Sequence, residues 1–329
     1  MPTSLTTTAV ADQYNFDGVP FPLVVTPPQT TDLAAACDWV RLNLSEINLS
    51  LAASGTILFR GFPIDSAESF DTFSAAFNYP SFTYRESLSN AVRINFTERV
   101  FTANEAPKDV EIYLHHEMAQ TPISPDKLFF FCKSAASEGG ASPLCRSDQL
   151  LKALRLQAPT LADEFAAKGL KYTTYMPATN DPNSGQGRSW MNTLNVDSVA
   201  AAETKLQHLG YTWEWQGDGS LKAVTPVLPA IKKLANGTEV FYNQLIAAYL
   251  GWKGVRENPA RAITYGDGSH IQISTLELLV KLSQDFTYDV PWQDGDVALI
   301  DNNLTMHGRR PFTGNRPRQV LVALTAAVS

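Results

Sequence analysis

The sequence predicts a mainly β protein with several separate helices, and three observations carry that reading. Short apolar or alternating runs recur along the chain, at 56–62, 92–96, 112–117, 128–132 and 319–324, with turn-forming residues between them. A Gly217-Asp218-Gly219 turn separates Trp213-Glu214-Trp215 from the run 221–224, the pattern of a hairpin. Apolar residues at helical spacing are confined to a few separate stretches.

Residues 1–30 read as an irregular arm, because Pro20, Pro22, Pro27 and Pro28 break any regular element. Residues 31–329 hold no repeat, low-complexity tract or convincing linker, which predicts a single domain. Its first helix is expected over 32–53, with Leu33, Ala36, Cys37, Val40 and Leu44 on one face, Asp32 as cap and Gly55 as stop. A buried strand over 56–62 turns on Gly61, and a short amphipathic helix spans 65–77. The region 91–146 reads mostly as strand. A Gly139-Gly140 turn leads to Leu144, and Ser147 or Asp148 caps a helix running to Leu156. Another helix covers 160–168. The stretch 172–188, rich in Thr, Asn, Pro and Gly, predicts a long loop, and loops of that length are often lids. A helix at 276–284, a strand over 292–301 containing the Asp294-Gly295-Asp296 turn, and a last strand at 319–324 complete the chain.

The charge balance excludes some partners. Lys and Arg number 26 against 33 acidic residues, a net −7, and no basic block occurs, so nucleic acid and anionic membrane are poor candidates. No run reaches the length of a membrane span, and the Thr-rich start lacks the basic and apolar regions of a signal peptide. Cys37, Cys132 and Cys145 are scattered and form no Cys-x-x-Cys pair. That argues against a disulfide framework and for a reducing, cytoplasmic setting.

Chemistry concentrates at His115-His116-Glu117, with an isolated His307 far downstream. In an extended strand residues i and i+2 share a face. His115 and Glu117 can then aim one imidazole and one carboxylate at the same point, while His116 faces away. With His307 they make two histidines and a carboxylate, the facial set that binds non-haem Fe(II) and leaves positions open for substrate and oxygen. The plainer reading is a polar strand end with one buried, hydrogen-bonded histidine. A zinc deaminase needs a later Pro-Cys-x-x-Cys, which Cys132 and Cys145 do not supply. A zinc protease needs His-Glu-x-x-His, and Met118, Ala119 and Gln120 follow Glu117.

Several motifs in order give the chain a family likeness. They are Leu58-Phe59-Arg60-Gly61-Phe62, His115-His116-Glu117, Gly139-Gly140-Ala141-Ser142, Asp294-Gly295-Asp296 through Asp301-Asn302, Met306-His307-Gly308-Arg309, and Arg318-Gln319-Val320-Leu321-Val322. From about Gly55 to the end the chain resembles the Fe(II)/2-oxoglutarate-dependent dioxygenases of the taurine dioxygenase and clavaminate synthase-like branch. The resemblance implies a double-stranded β-helix, or jelly roll, with helices outside. It implies that His115, Glu117 and His307 ligate Fe(II), and that Arg318 forms a paired salt bridge with the distal carboxylate of the cosubstrate 2-oxoglutarate. Ser142, where the family usually has Thr, would add a hydroxyl. Arg309, Arg310 and Arg316 are rivals to Arg318, and their plainer reading is solvent-facing charge.

The implied reaction consumes O2 and 2-oxoglutarate, releases succinate and CO2, and oxidises an unactivated C–H of a small molecule by hydroxylation, desaturation or cyclisation. Val322 stands where taurine dioxygenases place a second arginine for the sulfonate, which disfavours taurine. Glu117 stands where radical halogenases carry Gly or Ala, which disfavours halogenation. Clavaminate synthase-like members often act on amino acids or their derivatives, which suggests that substrate class and a place in secondary metabolism. Arg93, Asn95, Thr102, Asn104, Glu105 and the Phe241-Tyr242-Asn243-Gln244 segment are candidates for the substrate pocket, with 172–188 and 97–110 as lids. Trp190 and Trp252 read as packing. The competing class is a metal-free β-sandwich that binds a small molecule.

Overall fold

The computed structural model describes residues 5–28, 32–83, 87–89, 93–103, 106–181 and 187–327. Two sheets lie at its centre. The larger has seven strands in the order Thr7–Thr8, Leu23–Val25, Thr56–Phe59, Val297–Asp301, Lys127–Ser134, Gln319–Thr325, Val100–Thr102. The smaller runs Thr287–Val290, Ser142–Arg146, Thr305–Arg309, Ile112–His115. Pairing is antiparallel throughout both, apart from Leu23–Val25 beside Thr56–Phe59.

Both faces of the larger sheet are covered, which is why its strands read as unbroken apolar runs. Along Lys127–Ser134 the side chains alternate. Phe129 and Phe131 join the core beneath the helices Leu33–Ser54 and Ala67–Ala75, while Leu128, Phe130 and Cys132 face the smaller sheet. Val297 and Leu299 against Ala298 and Ile300, and Leu321 and Ala323 against Val320 and Val322, repeat the division. The smaller sheet turns Leu144, Tyr288 and Val290 toward the larger. On its far side Leu114, Cys145 and Met306 meet the helices Ser147–Gln157, Pro159–Lys168, Leu245–Gly251 and Ile273–Gln284. A third, four-stranded sheet carries the 212–224 hairpin beside Leu170–Met176 and Ile263–Tyr265.

Most sequence expectations hold. Asp32 caps the first helix, its carboxylate accepting from the Ala35 N–H, and Gly55 ends it at φ 81°. Ser66 caps the second with a capping box. Others need correction. The N-terminal arm is not irregular throughout: Leu23–Val25 is a strand of the main sheet, and Tyr14–Phe16 pairs with Val19–Phe21. The strand expected at 92–96 is reduced to an isolated bridge from Asn95 to Phe101, and the strand is Val100–Thr102; Val92 lies outside the described residues. The loop expected from Tyr172 starts later, because the Thr- and Tyr-rich stretch there is a strand, Leu170–Met176, paired on both edges. Residues 182–186 of that loop lie outside the described set. The last approach strand begins at Val297, after the 293–296 turn. Neither Ser147 nor Asp148 caps its helix. The Asp148 carboxylate accepts two bonds from Arg146, at 2.8 and 2.9 Å, and the Ser147 hydroxyl donates to the Leu304 carbonyl. Among the described residues, no helix is long and apolar enough to cross a membrane.

Candidate active site

The two sheets part at one end around a cavity of about 430 Å³, within the range of small-ligand sites. The smaller sheet contributes His115, Ser142 and His307; the larger contributes Phe130, Val320, Val322 and Leu324. His115 is the last residue of its strand and pairs directly with His307, which puts the imidazole centroids 4.4 Å apart. Register then slips between His307 and Arg309. At the slip, Gly308 lies so close to the neighbouring strand that a Cβ would sit 2.3 Å from the Ile112 carbonyl oxygen, so only glycine fits.

One atom gathers the cluster. Glu117 Oε2 lies 3.5 Å from His115 Nε2 and 3.4 Å from His307 Nε2. His115 Nδ1 donates to the Tyr113 carbonyl at 2.8 Å, which orients the ring so that Nε2 faces the cluster. Burial pushes Glu117 upward, but hydrogen bonds from His115 and His307 and the charge of Arg93 outweigh it and hold the carboxyl well below its usual range. Burial, reinforced by His115, lowers His307 to about 4, so its ring is neutral at pH 7. Two imidazole nitrogens and a carboxylate oxygen, all within 4.8 Å of one another, form a donor set that fits a divalent transition metal.

The strand expected through Glu117 ends at His115, and Glu117 stands in the turn that follows, yet His116 still faces away from the cluster. It is fully buried, with Nδ1 2.5 Å from the Asn302 carbonyl and Nε2 3.2 Å from that of Phe241, and burial lowers it to about 3. Asn302 latches this turn. Its Oδ1 accepts the Glu117 N–H at 2.7 Å, and its Nδ2 donates to the carbonyls of Glu117 at 3.0 Å and Pro125 at 2.8 Å. Sequence reasoning placed Asn302 only on the approach strand. The signal was an Asn-Asn pair directly after a buried apolar strand, a place where side-chain amides satisfy a broken ladder.

Arg318 and Ser142 line the same cavity. Arg318 Nε donates to the Gly140 carbonyl at 2.7 Å and Nη2 to the Ser142 hydroxyl at 3.4 Å. Trp292 Nε1 also donates to that hydroxyl, at 3.0 Å, so the Ser142 proton is left to donate elsewhere. Burial lowers Arg318 to about 10, and it stays cationic at neutral pH. Gly140, at φ 71°, passes so near that a Cβ would lie 2.8 Å from Arg318 Cδ, which accounts for the second glycine of the Gly-Gly turn.

The rival arginines separate. Arg310 pairs with Asp289 and Glu111, and Arg316 with Asp294, in partly exposed positions. Arg309 is not solvent-facing charge: it is buried, lines the cavity and donates to the carbonyls of Ala106, Pro107 and Val110. Of the pocket candidates, Arg93 and Thr102 line the cavity, with Arg93 Nη2 3.5 Å from Glu117 Oε1. Asn95 is exposed and away from it, and Asn104 and Glu105 lie outside the described residues. Residues 241–244 do not line the cavity; the Phe241 carbonyl lies 3.2 Å from His116 Nε2, the Asn243 carbonyl accepts the His116 backbone N–H, and Gln244 donates to the His116 carbonyl. Trp190 packs edge-on against Trp215, and Trp252 near Tyr172.

Comparisons with known proteins agree with this geometry. Residues 25–325 match the model of the taurine catabolism dioxygenase TauD, TfdA family. A clavaminate synthase-like protein of Arabidopsis thaliana is 35% identical over 327 residues, covering 97% of this chain and 98% of that one. The dapdiamide synthesis protein DdaC of Enterobacter agglomerans is 28% identical over 286 residues, covering 82% of each. The structure of PvcB, described as an Fe, alpha-ketoglutarate dependent oxygenase from an isonitrile synthetic pathway, shares the fold at a TM-score of 0.56 and 13% identity, over 98% of this chain and 95% of that one. The chain belongs to the TauD/TfdA family and is an Fe(II)- and 2-oxoglutarate-dependent dioxygenase, which overturns the alternative of a metal-free binding protein.

Proposed function

From that membership we propose that His115, Glu117 and His307 hold the Fe(II), that Arg318 and Ser142 hold the distal carboxylate of 2-oxoglutarate, and that the enzyme oxidises an unactivated C–H of a small amino-acid-derived molecule. The proposal includes a jelly-roll frame for the two packed sheets, and residues 31–329 acting as one catalytic domain that Leu23–Val25 joins through the main sheet. The observation that carries it is the convergence of both imidazoles on Glu117 Oε2 in the cavity that Arg318 and Ser142 also line.

When bound, Fe(II) supplies the activation of O2 that drives decarboxylation of 2-oxoglutarate and oxidation of the substrate. The chain supplies the rest. Arg318, cationic and fixed by the Gly140 carbonyl, presents a guanidinium edge to a carboxylate, and Ser142 adds the proton left free by its two donors. Phe101, Ile112, Phe130, Phe312, Val322 and Leu324 give the cavity an apolar wall that excludes water and seats a hydrocarbon portion of the substrate. Val322 lies on that wall, so the sulfonate-gripping arginine of taurine dioxygenases has no counterpart at this position. The names of DdaC and PvcB, proteins of dapdiamide and isonitrile synthesis, support small amino-acid-related metabolites as the substrate class.

The test is succinate release from 2-oxoglutarate with Fe(II) and O2, screened across amino acids and their amides for stimulation above the uncoupled rate. Stimulation by a member of that class supports the reading. Absence of both metal and 2-oxoglutarate binding at micromolar concentration would sink it.

A further inference from the structure

We infer that Arg93 is a positioning residue that holds the outer oxygen of Glu117, so that this carboxylate offers the metal one oxygen and leaves the position beside it open for 2-oxoglutarate. The inference rests on the ligand set proposed above. Its basis is the asymmetry of the carboxylate. Oε2 faces both histidines at 3.5 and 3.4 Å, whereas Oε1 faces Arg93 Nη2 at 3.5 Å. Carboxylates bind metals through one oxygen or two, and a two-oxygen grip by Glu117 would occupy one of the three positions that a facial set keeps open. A cation on Oε1 opposes that grip.

The surroundings favour the contact. The side chains of Arg93 and Glu117 are each only 9% exposed, so water screens the pair little. Arg93 is itself held, because Nη1 donates to the Thr102 carbonyl at 3.2 Å. Its neighbour Ile94 exchanges hydrogen bonds with Thr102, giving the N–H to the hydroxyl at 3.1 Å and receiving the Thr102 N–H at 2.9 Å. The guanidinium is therefore anchored on Val100–Thr102, the edge strand of the larger sheet, and reaches across the cavity to Glu117 in the turn that follows Ile112–His115. Fixing a ligand's second atom in this way is how outer groups set metal-site geometry.

The test is calorimetric titration of 2-oxoglutarate into Mn(II)-loaded wild type, R93M and R93K, where no turnover occurs. R93M is expected to keep one Mn(II) per chain and to weaken 2-oxoglutarate binding by about tenfold or more, in the range typical of lost outer-shell partners. R93K, which restores a cation, is expected to stay within about threefold of wild type. If R93M does not fold, R93Q takes its place with the same expectation. Wild-type affinity in R93M or R93Q overturns the inference, as does an R93K that binds no better than R93M. Failure of the wild type itself to bind Mn(II) and 2-oxoglutarate would instead overturn the ligand assignment.

Discussion

Replacing Asn302 by alanine tests how the metal-binding turn is held, and its cost follows from three contacts. The Asn302 side chain satisfies the Glu117 N–H at 2.7 Å, the Glu117 carbonyl at 3.0 Å and the Pro125 carbonyl at 2.8 Å, and the residue is fully buried. Alanine removes all three at once, while the backbone carbonyl that accepts from His116 remains. At about 1 to 1.5 kcal/mol for each bond lost, the change costs about 3–5 kcal/mol, a large part of the 5–15 kcal/mol typical of folded proteins. The measurement is guanidinium unfolding of the metal-free protein, paired with Mn(II) titration. Glu117 loses its backbone anchor with Asn302, so Mn(II) affinity is expected to drop about tenfold alongside stability. N302D should not rescue, because it keeps an acceptor for the Glu117 N–H but turns carboxylate oxygen toward two carbonyls. A loss below about 1 kcal/mol with unchanged Mn(II) affinity would show that the latch reasoning is wrong.

Glu117→Ala and His307→Ala should each abolish succinate formation and Mn(II) binding with little change in far-UV circular dichroism; hydroxylation retained in both would mean that other residues hold the metal. Arg318→Met should raise the 2-oxoglutarate KM by about 100-fold, equivalent to about 3 kcal/mol for a charge-assisted pair. Gly140→Ala should raise it too, without touching a charge, since its Cβ would displace the arginine; an unchanged KM in G140A would detach the Gly-Gly turn from cosubstrate binding. The metal-free protein should lose stability on acidification. His116 and His307 have folded pKa values lowered to about 3 and about 4, so the unfolded chain takes up protons first. Stability is then full above pH 6.5 and falls below it, by up to about 1.4 kcal/mol per pH unit for each ring, or roughly 5 kcal/mol by pH 4.5. A flat unfolding midpoint between pH 6.5 and 4.5 would contradict the buried neutral rings.

How far the sequence could be read depended on where each residue finds its partner. The division of labour within His115-His116-Glu117 is legible in the sequence, and His116 does turn its back on the cluster, although the strand stops at His115 and the Asn302-held turn, not further alternation, brings Glu117 to the same side. The central strands of the larger sheet are legible for a related reason: with both faces covered, the runs 57–59, 128–132, 297–300 and 320–324 are apolar on both sides of the pleat. Arg309 was misread because its partners are three main-chain carbonyls at 106–110, and no side-chain pattern announces a backbone acceptor. Tyr172–Met176 reads as loop in the sequence because threonine suits turns and strands equally, and the pairing with 221–224 and 263–265 that decides between them is distant in sequence. Asn302 escaped for the same reason as Arg309, since a polar residue after an apolar strand looks like solvent until the main chain it ties is known. Single residues could thus be assigned where their chemistry acts through their own strand. The groups that set the geometry of the proposed ligands, Asn302 and Arg93, act across chain segments that only the folded molecule brings together.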